Sequence, residues 1–260
     1  MKARAFIAVV LATFVLILLG DGVVASLVLG PRGAAGNYNW NTIAFGWAFA
    51  VAVSGLIVGA DNNPAITLAC AVRGDVPWSR VVPTFLGTFL GGFLGALAVY
   101  LVYRDGLVSA GMPNIWTSGA GAIYDPAGKS AGAYSLLTAS IAEFFGTTVL
   151  MWAVLAVGDR KNAAMAKAGP FVVGGVILAI GLCLGGPSGY SLNPARDLAP
   201  RILGALVGSR NLFDGWYWLV PPVLVPCLAC VVATFLYDAF LNSEKCVEGH
   251  VAGEPSPQRP

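Results

Sequence analysis

The sequence predicts an all-α membrane protein with six transmembrane helices and two half-helices that enter the membrane only part-way. Of its 260 residues 57% are hydrophobic and 11% are charged, whereas a soluble domain averages about 25% charged residues. Several segments approach the ~20 apolar residues that cross a hydrocarbon core. They are apolar on nearly every side, whereas surface helices of soluble proteins keep a polar face. The tripeptide Asn-Pro-Ala occurs twice, each time between a long apolar segment and a short one.

Six long apolar segments follow one another along the chain. They cover residues 5–29, 43–60, 81–103, 134–157, 168–186 and 216–240. The first begins with the basic MKAR of a signal peptide, but its apolar part is longer than the usual core of about 7–15 residues. We therefore expect it to remain as the first spanning helix.

Two short apolar pieces, 64–71 and 194–206, are too short to span. Each begins with the proline of an Asn-Pro-Ala. Proline is favoured in the first turn of a helix, where its missing N–H is no loss. We expect both pieces to be half-helices.

The two halves of the chain repeat each other. Thr13 in ATFVLILLG and Thr147 in GTTVLMWAV are separated by nearly the same number of residues as Asn63 and Asn193. Three spans per half is an odd number, so the second copy must enter the membrane inverted. Inverted repeats with broken helices build a central site near the midplane.

Residues 1–240 are predicted to form a single domain. It comprises a repeat over about 5–103, an outer linker over about 104–133 and a second repeat over about 134–240. The polar, proline-containing tail 241–260 is predicted to be disordered and cytoplasmic.

Positive charge predicts the orientation. With a cytoplasmic N-terminus, nine Lys and Arg residues lie on that side and six on the other, which favours both termini in the cytoplasm. The net charge of +2 is too small to indicate a nucleic-acid partner.

The two half-helices predict a pore. Their positive dipole ends meet at one point, and Asn63 and Asn193 place amide donors there. Such donors orient a water or hydroxyl oxygen and oppose cations. A single Asn-Pro-Ala would equally be a helix-starting turn, because Asn is a good N-cap. Two copies in equivalent positions favour the pore.

Other classes of function fit less well. Four of the five cysteines lie in or beside apolar segments, where cysteine packs as a small hydrophobe, and His250 lies in the tail. We expect no enzyme, cofactor or metal site. An ion-coupled carrier needs ionisable groups in the membrane, and the candidates are Asp21, Asp61, Glu143, Arg196 and Asp197. A non-conducting scaffold would not need two converging polar motifs.

These residues resemble those of the aquaporins, or major intrinsic proteins, over about residues 5–240. The NPARD at 193–197, Arg201 and the LVPP at 219–222 are similar to the aquaglyceroporin branch. The resemblance implies a right-handed bundle, a homotetramer in a plasma membrane and one passive pore in each subunit. It implies conduction of glycerol, water and other small neutral solutes, such as urea, ammonia or neutral metalloid hydroxides, without protons or ions. A strict water channel is the alternative.

The resemblance also implies which residues line the pore. The motif residues are Asn63, Pro64, Ala65, Asn193, Pro194 and Ala195. The outer constriction would contain Arg196, Tyr190 and Gly181, the last in place of a histidine of water-selective members, so that the pore is wider. Its helix-two member is predicted as Phe45, with Ile43 and Trp47 as alternatives.

Supporting positions are implied as well. Glu143 matches a buried glutamate that braces the re-entrant loops, and Asp197 has a candidate partner in Arg201. The matching glutamate of helix one is replaced by Val9. Asp61 stands where the family has a histidine, and we expect it to cap or brace its loop.

Overall fold

The computed structural model describes residues 1–59, 61–119 and 134–241, and every regular element in these ranges is helical. Six stretches are long and apolar enough to cross a membrane, which confirms the predicted fold class. The α-helices are α1 Ala3–Leu29, α2 Pro31–Ala34, α3 Trp40–Val58, α4 Pro64–Arg73, α5 Trp78–Ser109, α6 Leu136–Gly158, α7 Gly169–Leu184, α8 Pro194–Val207 and α9 Val225–Leu236.

Two spans include turns of other helix types. A 3₁₀ segment, Arg160–Ala168, precedes α7, and π-helical turns, Val220–Leu224 and Tyr237–Leu241, flank α9. Pro221 and Pro222 lack the N–H that an α-helix needs. Leu224 N instead donates to Leu219 O, five residues back, at 3.0 Å.

The half-helices α4 and α8 begin and end alike. Asn63 and Asn193 are the N-caps, each followed by a proline. Both helices end at a glycine in the left-handed conformation, Gly74 at φ 93° and Gly208 at φ 110°. Glycine adopts this conformation without a Cβ clash.

The packing of the two halves is reciprocal. Helix α1 packs against α3 and α5, and α6 packs against α7 and α9 in the same way. Half-helix α4 lies against α9, whereas α8 lies against α5. Each half-helix therefore packs on the last spanning helix of the other half, as an inverted repeat requires.

Small residues bring the spanning helices close together. A Cβ on Gly91 of α5 would lie 2.2 Å from Val10 O, and one on Gly95 would lie 2.7 Å from Phe14 O. On α7, a Cβ on Gly174 would lie 2.6 Å from Ala48 O. Such close backbone approach is what stabilises helix pairs in lipid, where the hydrophobic effect does not.

The outer linker begins later than predicted. Helix α5 continues to Ser109 rather than ending near 103, because Leu107 is fully buried against the bundle. Trp116 is also buried, and its Nε1 donates to Ser209 Oγ at 2.9 Å. The rest of the linker, 120–133, and the tail from 242 onward lie outside the described residues.

Candidate functional site

The N-termini of α4 and α8 meet through two crossed hydrogen bonds. Asn63 Nδ2 donates to Leu192 O at 2.9 Å, and Asn193 Nδ2 donates to Asn62 O at 2.8 Å. Each asparagine therefore holds the loop of the opposite half. An amide group has two N–H donors. Each asparagine side chain therefore has a second N–H that this bond does not use.

The amide oxygens of these asparagines cap their own helices. Asn63 Oδ1 accepts from Ala65 N at 3.0 Å. Asn193 Oδ1 accepts from Ala195 N at 3.0 Å and from Arg196 N at 3.2 Å. Because the oxygens are bound to the helix, the NH₂ groups point away from it.

Glu143 braces the loop before α8. This fully buried side chain of α6 accepts from Ser191 N at 2.7 Å and from Leu192 N at 2.8 Å. Leu192 has φ 57° and Tyr190 has φ 38°, conformations that L-residues adopt at a cost of about 1–3 kcal/mol each. The two bonds to the carboxylate offset part of that cost.

The outer part of the same loop is held by Tyr217, whose hydroxyl donates to Ser188 O. A tyrosine hydroxyl keeps its proton at physiological pH and therefore remains a donor.

The first half uses a different brace. Its matching position, Val9, packs against α5 at Gly87, so no carboxylate reaches the loop from there. Instead, Asn62 Nδ2 donates to Ser54 Oγ at 3.2 Å, and Ser54 Oγ donates to Ala12 O at 2.7 Å. The sequence assigns no role to Asn62 or to Ser54, because a serine in an apolar helix carries no local signal.

Asp61 lies at the start of this loop and is half-buried. It is not among the residues that line the cavity described below. Its predicted role as a brace remains a prediction.

Arg196 and Trp47 form one side of the candidate constriction. The guanidinium carbon of Arg196 lies 3.9 Å from the centroid of the indole ring. Trp47 is 3% exposed, whereas Phe45, the predicted member of this set, is 49% exposed on the outside of α3. The structure therefore places Phe45 away from the cavity and the alternative Trp47 in its lining, while Ile43 is buried but does not line the cavity.

Tyr190 fills the space beside Gly181. A Cβ on Gly181 would lie 3.0 Å from Tyr190 Cζ. Trp40 stacks edge-on against the tyrosine ring, with centroids 5.5 Å apart, and donates from Nε1 to Gly181 O at 2.9 Å. The missing Cβ of Gly181 therefore leaves room for the Tyr190 ring, and its role in widening the passage remains a prediction.

Asp197 does not face the passage but anchors α8. Its Oδ1 accepts from Arg201 Nε at 2.8 Å, which is the partner that the sequence offered. Its Oδ2 accepts from Ser118 N at 2.8 Å and from Ser118 Oγ at 2.6 Å. Arg201 also donates to Leu212 O, so both charges are held by structural partners.

A narrow cavity of about 50 Å³ runs past the junction of the half-helices. Polar groups from the two loops and α8 face apolar side chains from the spanning helices. The lining residues are Leu16, Trp47, Val51, Asn62, Asn63, Ile66, Leu150, Val173, Ile177, Tyr190, Ser191, Leu192, Asn193 and Arg196. In the part of the chain that the structure describes, no cluster of His, Cys, Asp or Glu is placed to hold a metal ion.

Comparison with known proteins gives consistent matches along most of the chain. The family model described as Major intrinsic protein matches residues 1–237. The glycerol uptake facilitator protein of Streptococcus pneumoniae is 37% identical over 235 residues, which is 88% of this chain and 96% of the relative. The probable glycerol uptake facilitator protein of Thermotoga maritima is 38% identical over 244 residues, with 90% and 97% covered.

A solved structure is also similar. The aquaglyceroporin from Plasmodium falciparum superposes with a TM-score of 0.80 at 29% identity, covering 93% of this chain and 97% of that one.

Proposed function

Since the chain belongs to the major intrinsic protein family, we propose that it is a passive channel for glycerol, water and other small neutral solutes. The observation that carries this proposal is the cavity at the junction of α4 and α8, where amide and guanidinium donors face apolar walls. Urea, ammonia and neutral metalloid hydroxides share the small size and neutral charge of the proposed solutes.

A polyol has a hydroxyl side and a C–H side, which match the polar and the apolar walls of this cavity. Its hydroxyl groups can accept from Asn63, Asn193 and Arg196, while its C–H edge lies against Trp47 and Tyr190. Transport requires that such binding stay weak enough to release the solute. Gly181 favours this assignment over a strict water channel because it admits the tyrosine ring and adds no side-chain donor.

Exclusion of protons and cations follows from the same geometry. Both half-helices point their positive N-terminal ends at the cavity. The asparagine amides add donors that orient a passing water oxygen. These positive dipole ends and N–H donors repel a hydronium ion or a metal cation.

The chain is an integral, multi-pass membrane protein. We place it in a plasma membrane with both termini cytoplasmic and assign it as a homotetramer with one pore in each subunit. We also treat residues 1–240 as one channel domain, and we assign no catalytic activity to it. The excess of Lys and Arg on one side supports the orientation.

Stopped-flow light scattering of proteoliposomes tests the proposal. Under an imposed glycerol gradient, vesicles with the protein should re-swell much faster than protein-free vesicles, and no current should accompany the flux. Water and urea gradients in the same preparation rank the solutes. Equal glycerol rates with and without protein, or a current coupled to glycerol, would show that the proposal is wrong.

A further inference from the structure

Asn62 contributes to the cavity wall an amide side chain that no step of the proposed function uses. The residue directly precedes the first Asn-Pro-Ala and is half-buried. Its backbone oxygen accepts from Asn193 Nδ2 at 2.8 Å, and its side-chain Nδ2 donates to Ser54 Oγ at 3.2 Å. Both the backbone and the side chain of Asn62 are therefore held in place, as a binding group with a fixed direction requires.

The hydroxyl of Ser54 determines which end of the Asn62 amide faces it. A hydroxyl has one hydrogen to donate, and that of Ser54 goes to Ala12 O at 2.7 Å, because a carbonyl oxygen can only accept. Ser54 Oγ must therefore accept from the amide, so the amide atom beside it is the nitrogen. The two ends of an asparagine amide are assigned by such bonds, since their shapes are nearly the same. The oxygen, Oδ1, is thus at the end turned away from Ser54.

This amide oxygen is a free acceptor. In the part of the chain that the structure describes, no group donates to Asn62 Oδ1, and protein atoms do not enclose it. The amide oxygens of Asn63 and Asn193 are instead bound to the first turns of their own helices. Asn62 is therefore the asparagine at the junction that offers the cavity an oxygen rather than an N–H group.

We propose that Asn62 Oδ1 is an acceptor subsite for a solute hydroxyl, beside the donors of the two motifs. This inference rests on the proposed function. Amide and guanidinium donors satisfy only the lone pairs of a solute oxygen, whereas each hydroxyl also has a hydrogen that needs an acceptor once the solute loses its water. Asn193 Nδ2 lies 2.8 Å from the backbone oxygen of Asn62, so the donor and the acceptor belong to one stretch of the passage. One hydroxyl of a polyol can accept from Asn193 while the next donates to Asn62.

The occupancy of the passage by glycerol tests this subsite. Glycerol at equal concentration on both sides of a proteoliposome membrane creates no gradient, but each bound molecule blocks the water flow that a sucrose gradient drives. The glycerol concentration that halves the osmotic water permeability therefore measures binding in the passage. We expect this concentration to rise about fivefold in Asn62→Leu, the equivalent of one neutral hydrogen bond. Leucine keeps the size of the side chain, so the water permeability without glycerol should stay at the wild-type level.

Ser54→Ala is the matched control. It removes the bond that holds the amide nitrogen but leaves Oδ1 in the passage, so the half-blocking glycerol concentration should stay at the wild-type value. An equal rise in this variant would mean that Asn62 only braces its loop. The wild-type value in Asn62→Leu would mean that no solute binds Oδ1, and a loss of water permeability without glycerol would indicate a distorted passage. Each of these three results would overturn the proposal.

A double variant decides the question if Asn62→Leu does not fold. Ser54→Ala with Asn62→Leu replaces both partners of the bond by apolar groups, which costs little stability, and it is compared with Ser54→Ala alone. Its half-blocking concentration should again be about fivefold higher, and equal values would overturn the proposal. Glycerol flux through the wild-type protein is measured in the same vesicles, so failure of the proposed function is seen separately.

Discussion

At the scale of single residues, Trp47 and Phe45 show how two aromatic side chains of α3 differ in environment. Trp47 is buried against Arg196, whereas Phe45 is half exposed on the outer face of the bundle. The indole face and the guanidinium attract each other by about 0.5–2 kcal/mol, more when both are desolvated. Trp47 therefore both shapes the passage and fixes the direction of the arginine.

Trp47→Ala should reduce discrimination between glycerol and longer polyols. We expect the ratio of the two permeabilities to fall by about tenfold, the lower end of what reshaping an apolar pocket costs. Stopped-flow swelling under each polyol gradient measures it. Phe45→Ala is the control and should keep the wild-type ratio; an equal change in that variant would return Phe45 to the constriction.

Sequence motifs predicted some of the candidate site residues, whereas hydrophobic periodicity could not identify the others. Asn63 and Asn193 stand in a repeated motif whose chemistry can be inferred without a structure, and Arg196, which directly follows the second copy, is implied by the family resemblance. The sequence does not show which face of α3 points inward, because a helix in lipid is apolar towards both the core and the membrane. Hydrophobicity therefore could not separate Trp47 from Phe45.

At the scale of elements, the two re-entrant loops are braced by different means. In the second half, the carboxylate of Glu143 accepts two backbone N–H groups. In the first half, neutral groups of Asn62 and Ser54 make the connection. Hydrogen bonds to charged groups contribute about 1.5–3 kcal/mol, compared with about 1 kcal/mol for neutral ones. The second loop, which carries the positive-φ residues, has the stronger brace.

Glu143→Gln should destabilise the fold. Glutamine keeps one acceptor but turns an NH₂ group towards the other backbone N–H. We expect the free energy of unfolding to fall by about 1–3 kcal/mol, seen as a lower melting temperature in detergent. Thr148→Val on the same helix is the control, since within the described ranges its hydroxyl has no hydrogen-bond partner. If both variants melted alike, the carboxylate would not be holding the loop.

The number and type of elements were predictable, but their ends were not. Long apolar segments mark the spans because a membrane leaves few alternatives for the backbone. The burial of Trp116 depends instead on contact with the opposite half, where its Nε1 donates to Ser209 Oγ. The sequence of a segment rich in Gly, Ala and Ser does not indicate such contacts.

At the scale of the whole molecule, the two halves are joined at several depths. The crossed asparagine bonds join them at the centre. At the far end of α4, the Arg73 side chain, 3% exposed, pairs with Asp75 at 3.1 Å and with Asp238 in the last span. Arg73 Nε donates to Asp238 Oδ2 at 2.8 Å. Half-helix α4 is thus held to the second half at both of its ends.

A double-mutant cycle on Arg73→Gln and Asp238→Asn measures that second connection. Because the Asp238 side chain is 36% exposed, solvent screens the pair, and we expect a coupling of only about 1 kcal/mol in the free energy of unfolding. Arg104→Gln with Asp105→Asn is the matched control: its atoms are 3.9 Å apart and both side chains are exposed, so it should show no measurable coupling. Equal coupling in the two cycles would mean that the Arg73 pair contributes nothing across the repeats. Half-helix α4 would then be held by its packing on α9 and by the asparagine bonds.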